Sequence, residues 1–454
     1  MTRLSAVDAL FLAVETREMP AHVAGLQVFR LPDGKDSAWL QEMMAELREH
    51  PPGPPFDQRV HTSLTGLPEL VEDEDFEIDY HLRHTVLPSP GNEEQLYRVL
   101  TRMHANLLDR DRPLWEFHLI EGLEDRNFAF YIKIHHAICD GATFSMWMSQ
   151  STERSPDDAT RPIWERPRGR SGNRERPWLA ALQAPASLLR KTGDVTLGLG
   201  KLAGKIINQR FLEGDDRLAL PLSGPHTALN MRLTASRNLA FTHFPVDVLK
   251  AIGRPWGATL NDVVLAICDA ALRRYLAEQG QVFEKPLVAM VPVNLRKPGE
   301  QSEGNFVTAL QVKLGDPDQD PVARLQSIVK TMKTAKELYS DVPTAASQFY
   351  SFGTGLLAAA GASLHLEGIM PPPLNLIISN VPGPREPRYF NGAQLVATYP
   401  ISGIAPMTAL NVTVYSYNGE LFFGLISGRR AMPHLSDLKL CLEEVFEEFR
   451  KACL

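Results

Sequence analysis

Between about Gln150 and Arg232 the character of the chain changes, because the apolar periodicity that organises the rest fails over Ser151–Arg176. Ser151–Arg176 is crowded with Arg, Asp, Glu, Ser, Gly and Pro and reads as a linker. The 454 residues, against a typical domain of about 150, therefore divide into two α/β blocks of similar size, 1–150 and 236–454, joined by 151–235. In the first block, Ser5 and Asp8 have capping-box spacing ahead of an apolar run, which predicts a short helix over Leu4–Val14. A strand is expected at His22–Phe29, helices at Asp36–His50 and Gln95–Leu108, and strands at Trp115–Glu121 and Phe128–His136. The second block predicts strands at Leu239–Phe244, Leu287–Val293, Leu374–Ser379, Leu410–Tyr417 and Glu420–Ser427. Helices are expected at Val246–Gly253, Thr259–Ala277 and Leu435–Phe449, and Asn418-Gly419 marks a hairpin turn. The Pro clusters Pro51–Pro55 and Pro371–Pro373 read as rigid connectors.

Composition narrows the partners. Lys and Arg number 47 against 54 Asp and Glu, a net charge of −7, so the basic face that phosphate backbones require is missing and no nucleic-acid partner is expected. Four scattered cysteines, Cys139, Cys268, Cys441 and Cys453, form no C-x-x-C pair and point to a reducing compartment. No long apolar run occurs, and Asp8, Glu15 and Glu18 stand where a signal peptide would be basic and then apolar; neither signal peptide nor spanning helix is expected. One stretch departs from the acidic average. Trp178–Leu212 carries Arg190, Lys191, Lys201, Lys205 and Arg210 against Asp194, among many leucines and isoleucines. Such a segment either lies on an anionic membrane surface or is a crossover helix packed on both blocks with its cations in water.

The sharpest local signal is Ile134-His135-His136-Ala137-Ile138-Cys139-Asp140-Gly141 at a strand end. Alternation puts His136 on the face of Phe128, Phe130, Ile132 and Ile134, and His135 with Tyr131 and Lys133. Adjacent histidines on a strand grip one metal poorly, and no H-E-x-x-H or Cys/His cluster supplies further ligands, so no metal is expected. An imidazole on an apolar strand face stays neutral near pH 7, the state of a general base, although a buried histidine satisfied by a backbone group has the same pattern.

His-His-x-x-x-Asp-Gly resembles the motif of the coenzyme-A-dependent acyltransferase superfamily. Further segments narrow the resemblance: Pro113-Leu114-Trp115-Glu116, Asn261-Asp262-Val263-Val264-Leu265-Ala266, Pro292-Val293-Asn294-Leu295-Arg296 with Gly304-Asn305, and Ser379-Asn380-Val381-Pro382-Gly383-Pro384. With Leu4, Ser5, Asp8 and Phe11 and the segment Phe76–Gly91, they are similar in order to the motifs of bacterial wax ester synthase/diacylglycerol acyltransferases, over about residues 4 to 430. The resemblance implies two chloramphenicol-acetyltransferase-like α/β domains, mixed sheets flanked by helices, joined by a long helical linker around a tunnel. It implies acyl-CoA as co-substrate with no cofactor, and a fatty alcohol or diacylglycerol as acceptor. A cytoplasmic location at the inner membrane or a lipid inclusion goes with it.

Carried over by motif, His136 is the catalytic base and His135 orients the loop or takes a direct part. Asp140, before Gly141, braces the loop and pairs with Arg296. Asn261 either donates a hydrogen bond to the developing oxyanion or caps its helix. Trp115 and Pro113 read as packing residues, and Ser379–Pro384 as a shaped turn. The small-residue run Gly353–Ala362 leaves room for another helix or for an acyl chain. Two alternatives remain: an acyltransferase fed by a carrier-protein thioester, and a non-catalytic lipid-binding module. Gly198–Gly204 lacks the preceding strand of a dinucleotide site, and no G-x-S-x-G elbow occurs.

Overall fold

The computed structural model describes residues 2–4, 6–62, 67–165, 219, 222–294, 307–340, 344–366 and 368–454. Trp178–Leu212 and Arg296 lie outside them. Two six-stranded mixed sheets carry the fold. In the first the order is Tyr389–Phe390, Ala393–Ile401, His22–Arg30, Asn127–His135, Trp115–Leu123, Leu82–Val86, and only the last pair is parallel. In the second it is Val307–Lys313, Val288–Asn294, Leu376–Val381, Leu410–Tyr417, Glu420–Gly428, Arg237–Pro245, parallel in the middle and antiparallel on both flanks. The Asn418-Gly419 turn has positive φ at both residues (46° and 85°), as a two-residue hairpin demands.

Chain order does not respect the gap at residues 150–232. Strand Ala393–Ile401 leaves the second block and completes the first sheet beside His22–Arg30. It also seals the joint between the sheets: Tyr399 stacks on Phe241 at 4.7 Å, and a Cβ at Gly424 would land on the Pro400 carbonyl, so only glycine admits that approach. Helix Glu93–Ala105, with an Asn92/Gln95 capping box, is the second joint. Its Tyr97 hydroxyl accepts from the Phe241 N–H at 3.1 Å, occupying backbone on edge strand Arg237–Pro245 that would otherwise be open to another chain.

The faces of the central strand follow the alternation. Phe128, Phe130, Ile132 and Ile134 pack with Met43, Met44 and Trp147 in one core, while Ala129 and Tyr131 join the larger core shared with the second sheet. Trp115 is buried at 2 % exposure and donates Nε1–H to the Phe56 carbonyl at 2.9 Å, a packing residue as expected. Helix Thr344–Ser363 contains the small-residue run; Gly361 lies tight under Met370, whereas Gly353 and Gly355 face open space.

Candidate active site

Strand Asn127–His135 ends one residue earlier than the alternation suggests, and His136 is the first residue of the turn. The chain leaves the ladder because the His136 N–H donates to the Ala21 carbonyl at 2.7 Å and Ile138 N–H turns back to His135 O at 2.9 Å. His136 therefore leaves the apolar face of Ile134 and is half-buried. Its ring lies on that of Phe11, centroids 4.2 Å apart and planes 19° apart. Burial lowers its pKa below the usual histidine value; the carboxylates of Asp140 and Asp8 oppose this only in part, and His135 adds to it. The ring is thus neutral near pH 7 and can accept a proton.

His135 is fully buried on the face of Lys133 and Tyr131. Its Nδ1 accepts the Ala137 N–H at 3.0 Å, which leaves the proton of the neutral ring on Nε2. Nε2 lies 3.4 Å from Glu15 Oε1, a close contact without hydrogen-bond geometry. Around it the interior is polar and only partly paired, His22 Nδ1 and His118 Nδ1 having no hydrogen-bond partner among the described residues. Lys133 donates to the Met103 and Asn106 carbonyls at a helix C-terminus and reaches Glu116 at 3.0 Å. Cross-strand from His135, His22 bonds the His104 carbonyl through Nε2 at 2.7 Å. Burial holds the His22 and His104 rings neutral.

Asp140 is the N-cap of helix Gly141–Gln150, its Oδ1 accepting from the Thr143 N–H at 2.8 Å. That bond ties Asp140 to the start of its own helix. A Cβ built on Gly141 meets nothing within 4 Å, so packing does not require a glycine there.

Asn261 is not a cap. Thr259 caps helix Leu260–Glu278 in a reciprocal box with Asp262, leaving the Asn261 side chain to line a cleft of about 870 Å³. The cleft opens where strands Val288–Asn294, Leu376–Val381 and Leu410–Tyr417 end, a frequent ligand location in α/β folds. Asn380 and the Pro382-Gly383-Pro384 turn form one wall; a Cβ at Gly383 would strike the Ser416 carbonyl and the Tyr415 ring, so this turn is shaped by close approach. Lys250, Lys336 and Arg385 are its charged described residues, with no carboxylate among them. Among the described residues, no group of three or more His, Cys, Asp or Glu is placed to hold a metal ion.

Sequence reasoning passed over Glu15 and the stacking of Phe11 on His136. Glu15 is the carboxylate that reaches His135 among the described residues, yet it lies 120 positions away in the sequence. Its one sequence cue is a charge directly after the apolar run Ala9–Val14.

The site thus sits in a fold of two mixed α/β sheets, with a paired-histidine turn at a central strand end. The family model of the wax ester synthase/diacylglycerol acyltransferase catalytic domain matches residues 4–264, and that of the WS/DGAT C-terminal domain matches residues 303–450. A Mycobacterium tuberculosis relative named "Probable diacylglycerol O-acyltransferase" is 37% identical over 98% of both chains. The solved wax ester synthase/diacylglycerol acyltransferase from Marinobacter aquaeolei VT8 is 34% identical with a TM-score of 0.76, covering 100% of both chains. A condensation domain of the calcium-dependent antibiotic synthetase shares the fold alone, at 15% identity and TM-score 0.57 over 100% of this chain and 96% of that one. The chain belongs to the wax ester synthase/diacylglycerol acyltransferase family, and it is an O-acyltransferase.

Proposed function

We propose that the protein transfers a fatty acyl group from acyl-CoA to the hydroxyl of a long-chain alcohol, a diacylglycerol, or both. The observation that carries this reading is His136: a half-buried imidazole, kept neutral by its surroundings, at the end of a rigid strand. Its unprotonated nitrogen takes the alcohol proton as the oxygen attacks the thioester carbonyl. The tetrahedral oxyanion collapses with cleavage of the C–S bond, and the departing thiolate recovers the proton from the imidazolium. No acyl-enzyme forms and no cofactor is consumed. Incubation with labelled palmitoyl-CoA plus hexadecanol or dioleoylglycerol, followed by lipid separation, tests the assignment; hydrolysis alone, with no ester formed from either acceptor, would remove it.

The cleft at Asn261 suits the phosphate-bearing end of acyl-CoA, because three cations face it in an otherwise acidic protein. Lys250→Glu and Lys336→Glu should each raise KM for acyl-CoA by roughly 3–10-fold, and added salt should shrink the difference. An unaltered KM at low salt would place the phosphates elsewhere.

Association with a lipid surface belongs to the same proposal, since both substrates are oily and no described helix is long and apolar enough to cross a membrane. Reversing the charge of Lys201, Lys205 and Arg210 should weaken flotation with anionic liposomes; equal flotation would exclude that segment as the contact.

A further inference from the structure

One short N-terminal stretch holds both histidines. Helix Ala6–Val14 lays Phe11 on the His136 ring, and the residue after it, Glu15, turns a carboxylate of 1 % exposure toward His135. That carboxylate is locked in place: Oε1 accepts the Ala21 N–H at 3.0 Å, and Oε2 lies 3.0 Å from Arg110 Nη2, which also donates to the Leu12 carbonyl at 2.6 Å.

The connections from Glu15 bracket the base. Ala21, whose N–H goes to Glu15, gives its carbonyl to the N–H of His136. His135, whose Nε2 faces Glu15, accepts on Nδ1 the N–H of Ala137. The amides of residues 136 and 137 are therefore both tied to groups that meet at one carboxylate. His135 Nε2 has no hydrogen-bond partner among the described residues and is sealed from solvent, and the Glu15 carboxylate at 3.4 Å is the charge that faces it. A carboxylate this deep costs stability unless paired, yet a neutral amide would serve Ala21 as well. The arrangement has the logic of a base whose orientation is set by a third group, reached here through the neighbouring imidazole. Burial alone would raise the Glu15 pKa, but His135, the Ala21 N–H and Arg110 outweigh it and hold it at about 2, so the charge is permanent at working pH.

We propose that Glu15 is a positioning residue for acyl transfer, acting through His135 to fix the turn that aims His136. The inference rests on the reading of His136 as the base. In that role Glu15 sets geometry in the transition state and leaves substrate binding alone.

The test uses the full chain with palmitoyl-CoA and hexadecanol. Glu15→Gln should lower kcat on the order of 10–100-fold, the loss expected of a misplaced catalytic group. Both KM values should stay within about twofold, which separates positioning from binding. His135→Asn keeps an acceptor for Ala137 but removes the group facing Glu15; in that background Glu15→Gln should have little further effect, under about threefold, the non-additivity of residues acting as one unit. Glu15→Asp, which keeps the charge, should recover part of kcat and serves as the variant if Glu15→Gln fails to fold. Equal losses in both backgrounds, a raised KM with unchanged kcat, or no recovery by Glu15→Asp would overturn the proposal. A His136→Ala variant with wild-type turnover would instead remove the base assignment, so the two failures are distinguishable.

Discussion

His136→Ala is expected to lower the rate of acyl transfer by roughly 10²–10⁴, the usual contribution of a positioned general base. The fold should survive. The structure ties this residue to the turn through its backbone N–H on Ala21, and the ring adds a stacked contact with Phe11. Losing that contact costs on the order of 1 kcal/mol, far below the catalytic loss. The same assignment fixes the pH dependence. Because burial lowers the His136 pKa, the reactive neutral form persists below pH 6.5 and is lost only on further acidification. The acid limb of kcat/KM should therefore lie below the ordinary histidine value. A limb at or above it, or a His136→Ala variant with undiminished turnover, would show that another group moves the proton.

Asn261→Ala separates two roles that the sequence leaves open. Thr259 and Asp262 already close the cap of helix Leu260–Glu278 on themselves, so loss of the Asn261 amide leaves the helix start intact. Thermal stability should change by no more than about 0.5 kcal/mol, the usual range for a substitution away from structural anchors. If the amide donates to the developing oxyanion, the rate should fall by roughly 10²–10³. Thr259→Ala is the reciprocal control, expected to cost about 1 kcal/mol of stability with turnover retained. A variant at 261 that melts early and turns over normally would return this residue to a structural role.

Where helix and strand periods were strong, the chain could be read directly. Val246–Gly253 and Leu410–Tyr417 match expectation residue for residue, and most other elements shift by one to four residues at an end. Strand Ala393–Ile401 escaped because its place is set by pairing with His22–Arg30, some 370 positions earlier, and its own Pro400 disguises it. The paired histidines were legible because strand, turn and helix start occupy eight consecutive residues. The end of that strand was not, since it depends on the Ala21 carbonyl drawing His136 out of the ladder.

By itself the sequence determined what local periodicity and residue chemistry can encode: two α/β blocks, the His-His-x-x-x-Asp-Gly turn, the capped helix at Thr259, and the acyltransferase resemblance that the family matches bear out. The tertiary structure alone decided that Phe11 and Glu15 meet the two histidines and that Asn261 faces a cationic cleft. The division has a physical cause. Periodicity and capping act over a few neighbouring residues, whereas the surroundings that tune a buried imidazole come from segments joined only when the core closes, and no spacing along the chain records which will meet.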